Sequence, residues 1–67
     1  MSNALDALST IDAERLAELL GTKPWRIYEM VKKGTAPPHF RVGKVLRFRV
    51  ADVAKWMGEQ VAGSKED

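Results

Sequence analysis

Apolar residues recur at helical spacing between Ala13 and Leu20. At 100° per residue, Ala13, Leu16, Ala17, Leu19 and Leu20 share one face, and Glu14, Arg15 and Glu18 the other. This predicts an amphipathic helix. Asp12 stands before it as an N-cap, because a carboxylate there accepts from unpaired backbone N–H groups of the first turn. Ile11 and Leu16 have the spacing of a hydrophobic staple, and Glu14 suits the positive helix end. Gly21 provides a stop. A second helix is predicted from about Pro24 to Lys33, with Ile27, Met30 and Val31 on its buried side. Proline is tolerated in its first turn, Lys32 and Lys33 suit its negative end, and Gly34 ends it. Two helices joined by a short turn containing glycine form a helix-turn-helix.

Pro37-Pro38 makes the next stretch a stiff connector. Phe40 to Arg49 then alternates as a hairpin does. Phe40, Val42, Leu46 and Phe48 can share an inner face, with Arg41, Arg47 and Arg49 outside. Matching those faces requires Val42 opposite Leu46, hence a three-residue loop, Gly43-Lys44-Val45. A two-residue Gly43-Lys44 turn is better turn chemistry but sets Arg47 opposite Phe40, so the longer loop is expected. A last helix is predicted from about Ala51 to Gln60, with Val53, Trp56 and Met57 as its core stripe, Asp52 in its first turn and Gly58 weakening its end by about 1 kcal/mol. The expected fold is mainly α with a small β-hairpin: a winged helix-turn-helix of three helices and a two-stranded wing. It is assigned to residues 12–61, after an N-terminal extension (1–11) and before a polar tail (62–67). Ser2-Asn3-Ala4 reads either as the remnant of a cleaved tag or, with Met1, as a native start.

Charge changes the picture. The chain has 67 residues and a net charge of +2. Thr22 to Arg49 holds eight basic residues and one acid, Glu29, for +7, and the remainder carries −5. Lysine and arginine massed beside a candidate recognition helix are the electrostatic footprint of a nucleic-acid binder. With no cysteine, neither a disulfide nor a thiolate zinc site can staple the fold. His39 is the only histidine, which argues against a metal site and against histidine-based nucleophilic catalysis. No nucleophile–base pair, paired carboxylates or phosphate-cradling loop points to an enzyme, and no cofactor is implied. No apolar run reaches the roughly 18–20 residues of a membrane span and no secretory signal pattern appears, so the expected compartment is the cytoplasm.

The outer side of the second helix carries Trp25, Glu29 and Lys32, flanked by Arg26, Tyr28 and Lys33. Aromatic and basic residues together suit a surface that meets base edges and phosphates. Arg26, Lys32 and Lys33 read as DNA contacts or as solvated charges. Lys23 lies at the helix start, where the dipole favours a phosphate. Tyr28 reads equally as a packing residue or a phosphate donor. Trp25 can fold back on the wing or first helix, stack on a sugar, or meet a thymine methyl. Glu29 can accept from cytosine N4 but repels phosphates, which favours a solvated role. In the hairpin, Arg41 and Arg47 are expected to face each other, a repulsive pairing that a phosphate or a narrow minor groove would relieve, with Lys44 extending the reach at the tip. Arg49 can instead serve the last helix. His39 reads as a surface or partly packed residue.

In order, these elements resemble the excisionase-type helix-turn-helix family, compact winged helices related to the DNA-binding domain of the mercury-resistance regulator. The residues that carry the resemblance are Leu16-Ala17-Glu18-Leu19-Leu20-Gly21, Ile27 to Gly34, Pro38, Arg41-Val42-Gly43-Lys44, Leu46-Arg47-Phe48-Arg49, Asp52-Val53 and Trp56-Met57. They span about Asp12 to Met57. The resemblance implies a second helix in the major groove and a wing on the adjacent minor groove or backbone. Such proteins often act as recombination directionality factors, which bend DNA and recruit an integrase; others are small phage or prophage transcription regulators. This chain departs from the pattern. Lys23-Pro24 stands where Ser or Thr usually caps the second helix, Trp25 replaces a small polar residue, and Glu29 stands where a basic residue is common. The target sequence therefore does not carry over.

The expected function is sequence-preferring binding of double-stranded DNA by a bacterial or phage-encoded protein. An excisionase-like role, with a site-specific recombinase as partner, is favoured over a small transcription regulator because no effector or dimerisation segment follows the winged helix. One monomer covers little DNA, so cooperative self-association on direct repeats is expected. The rival class is a protein-interaction module with Trp25 and Glu29 as partner anchors.

Overall fold

A computed structural model of the chain describes residues 9–63. The expected remnant at 2–4 and most of the polar tail, 64–67, lie outside the described residues. The elements in chain order are β1 (Thr10–Ile11), α1 (Ala13–Leu20), α2 (Pro24–Lys33), β2 (Phe40–Val42), β3 (Val45–Arg49) and α3 (Val50–Gly63). The strands form one antiparallel sheet in the order β1-β3-β2. The winged helix-turn-helix expected from the sequence is present, mainly helical with a hairpin wing, and its sheet has a third strand that precedes α1.

Local chemistry sets the helix-turn-helix. Asp12 is extended, and its carboxylate accepts from the Arg15 N–H at 2.8 Å, so the expected cap forms. Gly21 adopts φ 72°, which lets Thr22 N–H reach the Ala17 carbonyl at 2.8 Å and Gly21 N–H reach Glu18 at 3.1 Å. Gly34 repeats this at φ 78°, with Thr35 N–H on Met30 at 2.9 Å and Gly34 N–H on Val31 at 3.2 Å. Both helices thus end in the paired bonds that a left-handed glycine makes possible. α2 starts without a side-chain cap; Lys23 is extended, as a residue before proline tends to be, and Pro24 opens the helix.

The hairpin register differs from the expected one. Val42 pairs with Val45, Arg41 with Leu46 and Phe40 with Arg47, so the turn is the two-residue Gly43-Lys44. Gly43 has φ 62° and no described non-glycine residue has a positive φ, the pattern of a type II′ turn. Such a turn follows the natural twist of the strands, and this outweighs burial of Phe40 and Val42 on an edge strand. The expected shared inner face is therefore wrong for those two. Leu46 and Phe48 point inward, whereas Phe40 and Val42 are exposed on the outer face with Val45. Arg41 shares its face with Leu46, and Arg47 shares the other face with Phe40. The expected Arg41–Arg47 confrontation does not exist.

The core joins all three helices to β3: Ala13, Leu16 and Ala17 from α1, Ile27 from α2, Leu46 and Phe48 from β3, and Val53 from α3. Pro37 is fully buried, and the His39 ring lies 5.6 Å from that of Phe48. The apolar stripe of α1 is narrower than expected, since Leu19 is 52% exposed. α3 extends beyond the expected Ala51–Gln60, and of its expected core stripe only Val53 is fully buried; Trp56 is half-buried and Met57 exposed. β1 pairs Thr10 with Arg49 and Ile11 with Phe48, and the Val50 N–H donates to the Ser9 carbonyl at 2.9 Å. Two residues are too few to show a strand period.

Two glycine substitutions should act with opposite sign. A Cβ at Gly34 or at Gly58 meets nothing within 4 Å, so backbone conformation alone decides. Gly34→Ala should destabilise by about 1–2 kcal/mol through the left-handed φ. Gly58→Ala, inside α3, should stabilise by about 0.5–1 kcal/mol. Urea unfolding of both variants checks the pair.

Candidate nucleic-acid interface

α2 presents its polar side as a built surface. Ile27 is buried beneath it, with Met30 and Val31 partly so, which turns Trp25, Tyr28 and Lys32 outward. Trp25, Tyr28, Glu29, Lys32 and Lys33 line a shallow open hollow along the helix. Trp25 and Tyr28 are 59% and 51% exposed, a large apolar area to leave in water on a short helix. The Arg26 guanidinium carbon lies 4.9 Å from the centre of the Trp25 ring, a cation–π contact of about 0.5–1 kcal/mol at an exposed site.

A second hollow connects this helix to the wing. Asp12, Ala13 and Glu14 at the start of α1, Tyr28 of α2, and Lys44, Val45 and Leu46 at the wing tip line it. Tyr28 belongs to both hollows and makes the helix face and the wing tip one surface. Lys44 sits at its far edge because the type II′ turn puts the lysine at the tip.

The basic residues divide by what else they touch. Arg47 is half-buried and donates from Nε and Nη2 to the Thr10 hydroxyl at 3.1 and 2.9 Å, and from Nη2 to the Thr10 carbonyl at 3.4 Å. Arg49 binds Asp52 at 2.7 and 3.0 Å, and this hydrogen bond, together with the carboxylate's charge, raises its pKa above the usual arginine value. Arg49 thus serves the last helix, the alternative left open by its sequence. Lys33 pairs with Glu29 at 3.6 Å, which gives the solvated acid a local partner. His39 Nδ1 lies 2.9 Å from the Pro37 carbonyl; a carbonyl only accepts, so that nitrogen carries the proton. Among the described residues no group of three His, Cys, Asp or Glu could hold a metal ion, and no helix is long and apolar enough to cross a membrane.

The family model of the helix-turn-helix domain matches residues 11–61. This chain belongs to that family. The family includes excisionase-type helix-turn-helix proteins, and membership makes the molecule a DNA-binding domain. No curated protein and no solved structure matches the chain.

Within this helix-turn-helix domain, the structure brings Lys23, Trp25, Arg26, Tyr28, Lys32 and Lys33 together on α2 and its start, and joins Lys44 to them through Tyr28. Arg41 is exposed on the helix-side face of the wing, one pair from the turn. Arg47 is set apart by its hold on Thr10. The Glu29–Lys33 pair is not among the expectations above, although Glu four residues before Lys is the favourable order on a helix. The Thr10–Arg47 contact spans 37 residues and has no local signal. Arg47→Ala should therefore cost about 1–2 kcal/mol of stability, and Thr10→Val about 1 kcal/mol, by denaturant unfolding. Lys44→Ala should leave the unfolding midpoint unchanged.

Proposed function

We propose that this domain binds double-stranded DNA with sequence preference, in an excisionase-like manner. α2 enters the major groove, and the wing tip meets the adjacent minor groove or backbone. The observation that carries the reading is the continuous surface through Tyr28, which joins the aromatic and basic side of α2 to Lys44. Lys23, Lys32 and Lys44 supply phosphate contacts, Arg41 supports them from the wing, and Arg26 and Trp25 face the bases. Lys33 and Arg47 are secondary, because Glu29 and Thr10 already hold them.

So small a surface covers only a few base pairs, and single modules of this kind bury roughly 600–1,000 Å². Useful affinity then comes from several copies on direct repeats, or from a recombinase bound beside them. In this reading the protein works as an architectural factor in recombination. A cytoplasmic setting follows from the DNA it binds.

Selection of bound duplexes from a random library, with titration of the winner over a salt series, tests this. About four to six phosphate contacts should give a log–log slope near −4 to −5 on an enriched motif. A slope near zero, with no enrichment, would overturn the reading in favour of a protein-interaction module.

A further inference from the structure

The five arginines differ in what their guanidinium groups hold. Arg15 is paired with Glu18 at 2.9 Å, Arg49 with Asp52 at 2.7 Å, and Arg47 donates to Thr10. Arg26 lies over the Trp25 ring, and no described residue accepts a hydrogen bond from its guanidinium. Arg41 also has no acceptor among the described residues, and no aromatic ring lies against it. Among the described residues, Arg26 is the one arginine held by an aromatic ring and left without an acceptor.

That combination has a chemical consequence. A guanidinium held over an indole face gives the ring none of its N–H donors to accept in the ordinary way. The contact restrains where the guanidinium lies and leaves its donors without an acceptor among the described residues. Side chains at i and i+1 do not ordinarily face each other on a helix, so the contact means that the Arg26 stem bends across the ring. It does so in the first turn of α2, the part of a recognition helix that meets base edges. A phosphate is served well by a mobile point charge, and Lys23 stands ready at the helix start. A base edge offers its acceptors at a fixed spacing, and a donor fork restrained in position suits it.

We propose that Trp25 is a positioning residue for Arg26, and that the pair reads one guanine through its O6 and N7 in the major groove. Guanine is the base that offers two acceptors to a bidentate arginine there. The inference rests on α2 entering the major groove, as proposed above. It gives the tryptophan a task beyond contact area: with the ring gone, the charge of Arg26 remains and its restraint does not.

The test uses the full chain and the duplex selected by the wild type, with each guanine replaced in turn by 7-deazaguanine, which lacks the N7 acceptor. One position should weaken wild-type binding by about tenfold. Trp25→Ala should shrink that penalty below about threefold, Trp25→Phe should restore most of it because a ring face remains, and Arg26→Ala should abolish it. Circular dichroism of each variant verifies that the helices persist. Equal penalties in wild type and Trp25→Ala would overturn the positioning role. The absence of any sensitive guanine in the wild type would overturn guanine reading, as would a full penalty in Arg26→Ala. If a motif is enriched and these results are flat, this inference falls and DNA binding stands. If no motif is enriched, both fall.

Discussion

Burial of Leu46 and Phe48 on one face of β3 is the constraint on which the other elements depend. β3 is the middle strand, paired with β1 on one edge and β2 on the other. Its inward residues meet α1, α2 and α3 in a core of seven buried side chains. A chain of this size buries only about 60% of its unfolded surface, so it has no second core to fall back on. The strand that fills the core also carries the wing. The placement of Lys44 relative to Tyr28, and so the shape of the proposed DNA-facing surface, is set by apolar packing rather than by contacts among the polar residues themselves.

The same economy explains why the charges divide as they do. Arg47 and Arg49, on the half of β3 nearest α3, are spent on holding β1 and the start of α3. The basic residues nearer the wing tip and along α2 have fewer partners. Acids gather on α1 and α3, as Glu14, Glu18, Asp52 and Glu59, and of these Glu14 lines the hollow between Tyr28 and the wing tip. Exposed ion pairs such as Arg15–Glu18 contribute little to stability, about 0–1 kcal/mol, so the charge pattern is better understood through binding than through folding.

Much of the helical part was legible in the sequence because its signals are local. Asp12, Gly21, Pro24 and Gly34 mark helix ends through chemistry within four or five residues. The hairpin was misread because two local rules conflicted: alternation favoured burying Phe40 and Val42, and turn chemistry favoured Gly43-Lys44. The turn won, since an edge strand facing water has nothing to bury its outer residues against. Leu19 and Met57 fell at apolar positions at the margin of their helix faces, where only the neighbouring elements decide exposure. β1 and the Thr10–Arg47 bond were illegible because they join residues far apart in sequence. Among the candidate contacts, those on α2 were read from the helical wheel. The two different faces of Arg41 and Arg47 follow from the register and changed with it.

We propose that one continuous surface, α2 with the wing tip, meets DNA. Backbone amide shifts of the full chain, followed by NMR during titration with a selected duplex, decide it. Changes should concentrate at Lys23–Lys33 and at Arg41–Lys44, with α3 from Ala54 to Ala62 little affected. Changes centred on α3, with α2 unmoved, would contradict it.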